Sequence, residues 1–140
     1  MKRLYLFVII LFTTITLNAQ SNPYKVVFDL TTNDTATHQR VIRWINGITK
    51  SHPDAMIDVV FYGKALTMVE SEFSTVTDDI KKLAKGNNVT FSVCEQAMKA
   101  HKVTKNMLLP GVATVPDAIY ELISKQAEGY GYIKVVPGGN

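Results

Sequence analysis

Asn88-Val-Thr-Phe-Ser-Val-Cys94-Glu-Gln-Ala-Met98 changes character halfway along. Val89 to Val93, rich in β-branched and aromatic residues, reads as a buried strand. Glu95 to His101 reads as a helix, and no turn residue separates it from the strand. A strand that hands over directly to a helix is half of a β-α-β unit, whose strands run parallel. Cys94, the only cysteine of the chain, stands at the handover.

The same alternation extends in both directions. Upstream, Tyr24-Lys-Val-Val-Phe-Asp-Leu30 predicts a first strand, and Thr31-Thr-Asn-Asp34 a turn and helix cap. Val41, Ile42, Trp44, Ile45 and Ile48 then recur at helical spacing until His52-Pro53 ends the helix. Met56 to Tyr62 predicts a second strand, stopped by Gly63. A short helix over 65–70 follows, then one capped by Ser74 or Thr75 that runs to about Lys85 and Gly86. Downstream, Met107-Leu-Leu-Pro-Gly111 predicts a loop and Val112 to Val115 a fourth strand. Pro116 suits the first turn of a helix whose apolar face is Ile119, Leu122, Ile123 and Ala127, ended by Gly129. Tyr130 to Val136 predicts the closing strand.

The expected fold is therefore α/β, a three-layer α/β/α domain over residues 24–136 with a mostly parallel five-stranded sheet. Ligands of such sheets sit outside the carboxyl ends of the strands. That edge receives Asn33 and Asp34, Tyr62 to Lys64, Cys94 and Pro116. Asn33, Tyr62, Gly63 and Lys64 form the expected crevice.

Residues 1–19 read differently. Lys2 and Arg3 precede an uncharged apolar and threonine stretch from Leu4 to Leu17, with Ala19 suited to cleavage. This is the layout of a secretory signal peptide, too short for a comfortable membrane span. It predicts an exported protein, periplasmic or secreted, without stable membrane insertion after cleavage. Removing 19 residues from 140 leaves 121, one domain with room for a core. Lys plus Arg falls from 15 to 13 against 12 Asp plus Glu, so the net charge falls from +3 to +1. That balance gives no electrostatic case for nucleic acid.

One cysteine excludes a disulfide framework and a cysteine-based zinc site within one chain. Cys94 is then either a reactive thiol or a small buried hydrophobe. A free thiol with a pKa near 8.5 is only a few per cent thiolate at about pH 7. A helix start favours the anion, Glu95 opposes it, and Lys64 on the next strand would offset Glu95. His38, His52 and His101 read as solvated surface residues, with no helical metal-ligand spacing among them. No Gly-rich phosphate loop follows the first strand. Neither a metal nor a cofactor is expected. Asp78-Asp79 reads as first-turn helix charge. Tyr130 and Tyr132 either pack in the core or fill an oligomer interface.

From Tyr24 to Val135 the chain resembles the DsrE/DsrF-like family of sulfur-relay proteins and their YchN-type relatives. The resemblance rests on Met107-Leu-Leu-Pro-Gly-Val-Ala-Thr-Val-Pro116, on Glu121-Leu-Ile and on Gln126-Ala-Glu-Gly-Tyr-Gly-Tyr-Ile-Lys134. Phe91-Ser-Val-Cys94 is similar to the family's cysteine-bearing strand end, and Val26 to Asn33 to its first strand and loop. It implies a small three-layer α/β domain that forms homo-oligomers, trimers or hexamers. It also implies a sulfur carrier in which Cys94 accepts persulfide sulfur from a donor or thiol partner protein. The alternative is a non-catalytic homo-oligomeric binding or structural module in which Cys94 is inert.

Overall fold

Five strands form one sheet in the order β4-β3-β2-β1-β5, and every neighbouring pair is parallel. They are β1 (Lys25–Leu30), β2 (Met56–Phe61), β3 (Val89–Cys94), β4 (Ala113–Val115) and β5 (Gly131–Val135). The helices are α1 (Thr35–Ser51), α2 (Thr77–Leu83), α3 (Glu95–His101) and α4 (Ala118–Ala127). This computed structural model describes residues 23–86 and 88–138. The signal-peptide reading of residues 1–19 lies outside the described residues. Among the described residues, no helix is long and apolar enough to cross a membrane.

Topology divides the helices unequally. Three steps in one direction, β1 to β4, place α1, α2 and α3 on one face by the right-handed crossover rule. The return from β4 to β5 brings α4 to the other face. The register assigns side chains accordingly. Phe28 pairs with Val59 and Ile133, and the Phe28 ring stacks on Trp44 of α1. Val27, Asp29, Asp58, Val60, Ser92, Tyr132 and Lys134 share the opposite face, under α4.

The core lies on the first face. Phe28, Phe61, Phe91, Leu30, Val41, Ile45 and Ile80 are fully buried there. Asp34 caps α1 by accepting hydrogen bonds from the Thr37 backbone N–H, at 2.8 Å, and from its hydroxyl. His52 closes the helix, as expected.

Several local expectations need correction. A 3-10 helix over Gly63–Met68 replaces the short helix placed at 65–70. Val76, not Ser74 or Thr75, stands at the start of α2, and no side chain caps it. Asp117 caps α4, accepting from the Tyr120 N–H, so Pro116 precedes the helix. The buried stripe of α4 is Ala118 and Leu122. Ile119 and Ile123 face outward with Tyr120, exposed by 54%, 59% and 72%. Leu122 of the expected apolar face is buried, whereas Ala127 is exposed like Ile119 and Ile123, and Ala118 takes their place on the sheet. His38 is buried rather than solvated, and its Nε2–H donates to the Thr32 carbonyl at 2.8 Å. Burial holds its pKa below the ordinary histidine value, against the opposing pull of Thr32 and Asp34.

Candidate functional site

The carboxyl ends of the strands carry two groups of polar side chains, one on each face. Cys94 belongs to the α4 face. Val93 pairs with Phe61, whose ring meets Phe91 on the core face. One residue on, extended Cys94 and extended Tyr62 both turn to the other side. Adjacent strands lie ~4.8 Å apart, so Cys94 and Tyr62 are neighbours in one row. Cys94 is free and 5% exposed. It caps α3 without a side-chain bond.

Asp29 stands on the same face further back, in the row of Ser92, Val60 and Lys134. This carboxylate is buried, 3% exposed. It accepts the Tyr132 hydroxyl at 2.6 Å and the Lys134 ammonium at 2.8 Å. Lys134 Nζ also lies 3.4 Å from the Thr31 hydroxyl and 5.4 Å from the centre of the Tyr62 ring. The electrostatics follow from these contacts. The hydrogen bond to Asp29, with some burial, pushes the Tyr132 phenol up to about 12. Burial, and then Asp29, raises Tyr62. Burial pulls Lys134 down, but Asp29 and Tyr62 more than offset it, and the net shift is upward. The chain reverses its direction of travel at the β1–β5 seam. Such switch points are where open α/β sheets place ligands.

The core-face side of the edge holds a hollow of about 270 Å³ lined by Asn33, Gly63, Lys64, Leu66, Thr67, Glu70 and His101. Gly63 makes the turn possible with φ +59°, and the Lys64 N–H then bonds the Thr31 carbonyl at 3.1 Å. Burial raises the Glu70 carboxyl, while His101 pulls it back down.

Three of the four expected crevice residues, Asn33, Gly63 and Lys64, come together in this hollow. Tyr62 does not, because strand alternation turns it to the α4 face. Lys64 makes no ion pair with Glu95 among the described residues. Thr114 and Lys105 meet Glu95 instead. The Thr114 hydroxyl donates to Glu95 at 3.0 Å, and Lys105 Nζ approaches the same oxygen at 3.7 Å. His52 stacks on Tyr24, far along the sheet from the edge. Tyr130 and Tyr132 part company: Tyr130 is buried, with Lys25 and Lys125 over its ring, and Tyr132 is exposed on Asp29. Asp29, Tyr132 and Lys134 are the functional candidates that sequence reasoning missed. A single charged residue inside the apolar first strand was the available signal.

Comparison with known proteins agrees with this architecture. MTH1491 from Methanobacterium thermoautotrophicum, described as a protein of unknown function, has a TM-score of 0.74 at 24% identity. The match covers 79% of this chain and 98% of that one. The ychN protein from E. coli has a TM-score of 0.63 at 11% identity, covering 79% and 97%. BT1422 from Bacteroides thetaiotaomicron, also of unknown function, has a TM-score of 0.64 at 16% identity, covering 84% and 100%. These likenesses concern the fold. No curated protein matches the chain. The sequence profile of the DsrE/DsrF-like family matches residues 25–135, and the chain belongs to that family.

Proposed function

We propose that the protein is an exported sulfur carrier whose acceptor is Cys94. The family is associated with sulfur relay. The observation that carries the reading is the shared face: Cys94 beside Tyr62, and the Asp29–Lys134 pair further back on the same face with Lys134 reaching the Tyr62 ring, at the strand ends where ligands bind. In the step, the Cys94 thiolate attacks the terminal sulfur of a donor persulfide, R–S–SH. The donor's S–S bond breaks, its electron pair leaves with the donor thiolate, and Cys94 becomes Cys–S–SH. Sulfur moves without net oxidation. Tyr62 and the half-exposed Lys134 supply a phenol and an ammonium to hold an anionic donor or product. The donor is a persulfide-bearing protein or small thiol. Residues 1–19 act as a signal peptide in this reading, and mass analysis of the mature protein would show cleavage after Ala19.

The burial of Cys94 makes access the controlling feature. A donor reaches the thiol only when the start of α3 or its cover opens. Alkylation of the native protein is thus expected to be slower than for an exposed thiol, yet measurable. Incubation with polysulfide is expected to add sulfur mass at Cys94 and none to Cys94→Ser. Modification only after unfolding would sink the carrier reading.

That outcome would support a second reading, a homo-oligomeric binding or structural module with an inert Cys94. The observation favouring it is the outward ridge of Ile119, Tyr120 and Ile123 on α4. Sedimentation of wild type and Tyr120→Arg tests it: an assembly dispersed by the arginine supports the module, and a wild-type monomer removes it.

A further inference from the structure

A further hollow lies on the core face, the other side of the sheet from Cys94. It is a groove of about 690 Å³ between α1 and the edge strand β5. This is within the ~300–1,000 Å³ of small-molecule sites. Trp44 and Ile48 of α1 form one wall, and Tyr24, Phe28 and Ile133 complete the apolar lining. Tyr24, Trp44 and Ile133 are each 39% exposed around one hollow, with Arg40 over the Trp44 ring and His52 stacked on Tyr24.

Gly47 lines the same groove, well inside the seventeen-residue α1. Glycine in a helix interior is unfavourable relative to alanine. A Cβ at Gly47 would meet nothing within 4 Å. No packing within the described residues therefore asks for glycine, and a large side chain there would project into the groove. The polar groups of the lining are also one-sided. Arg43, Ser51 and His52 contribute donors or positive charge, and among the described residues no carboxylate lines the groove.

We propose that this groove binds a small organic anion with an aromatic or branched apolar body and a single carboxylate. The body lies along Trp44 and Ile133 over Gly47, and the carboxylate meets Arg43, whose planar fork suits it. The site is independent of Cys94.

Trp44 is the only tryptophan of the chain, so its emission reports occupancy. Titration of the purified protein with 4-phenylbutyrate is expected to shift that emission to the blue, saturably. The neutral 4-phenylbutanol is expected to bind at least tenfold more weakly. Arg43→Gln should bring acid and alcohol to equal affinity. Gly47→Phe should abolish both responses, with Gly47→Ala as the variant whose added methyl has room and whose fold is unchanged. No saturable shift in the wild type, or equal affinity for acid and alcohol there, overturns the proposal. So does emission that depends on protein concentration and reddens in Tyr120→Arg, because the occupant is then a second copy. Blue emission in the full chain that reddens on removal of residues 1–19 overturns it in favour of the chain's own amino-terminal segment.

Discussion

The two faces of the sheet differ in cover and in chemistry: three helices lie over one and α4 alone over the other, where Tyr132 stays exposed. Under α1, α2 and α3 lie Phe28, Phe61, Phe91, Leu30, Ile57 and Val59, an apolar layer with few polar atoms. Under α4 lie Asp29, Asp58 and Ser92. Burial of an apolar ring stabilises by itself, whereas a buried carboxylate costs stability until its oxygens are matched. Asp29 meets that demand with Tyr132 and Lys134. Asp58 meets it by half: Ser92 donates to one oxygen at 2.8 Å, and the other has no partner among the described residues. One face is therefore an apolar layer and the other carries the buried polar groups, and each half of that statement can be broken.

The largest effect belongs to the apolar face. Phe61 is fully buried, with its ring 6.2 Å from that of Phe91. Phe61→Ala is expected to lower the unfolding free energy by about 3–5 kcal/mol, measured in urea, from lost burial and the cavity left behind. A loss under ~1 kcal/mol would mean that the stability lies elsewhere.

Asp58 gives the opposite sign. Burial beneath α4 holds its carboxyl up to about 6 from 3.8, against the smaller effects of Ser92 and Lys125. Between these values the folded chain keeps a proton that the unfolded chain has released. Stability therefore falls as pH rises through this window, and the loss is complete above it. A shift of roughly two units corresponds to about 3 kcal/mol at most. Asp58→Asn keeps an acceptor for Ser92 and carries no charge. It is expected to match wild type below about pH 4 and to gain progressively up to roughly that amount by pH 7. A pH-independent difference between the two proteins would show that Asp58 titrates alike in the folded and unfolded chains, and that burial does not raise it.

The two faces also differed in how much of them the sequence made legible. The succession of strands and helices along the chain followed from periodicity and from caps such as Asp34, because the apolar face obeys local rules. His38 was legible and was passed over: it continues the buried stripe of Val41, Ile42 and Ile45 at helical spacing. The polar face resisted for two reasons. Ile119 and Ile123 have the spacing of a core stripe, but periodicity does not say which of two adjacent stripes meets the sheet. Ala118 and Leu122 do, and their smaller combined bulk fits a face that also holds Asp58. The Asp29 cluster joins residues more than a hundred positions apart. Only the placement of β5 beside β1 brings them together.

That cluster supplies the smallest and most local prediction. The Tyr132 hydroxyl donates to a carboxylate that ionisation of the phenol would repel, which is why its pKa stands at about 12. Asp29→Asn removes the charge and leaves a neutral acceptor in place. The phenol is then expected to return toward about 10, seen as an earlier rise in phenolate absorbance that Tyr132→Phe abolishes. The stability cost should be only about 1 kcal/mol, because Lys134 is half-exposed and water can take over its ammonium. If the absorbance curve does not move, Asp29 does not govern Tyr132. The β1–β5 seam would then be a place where strands pack, and the polar face would owe its chemistry to Cys94 and Asp58 alone.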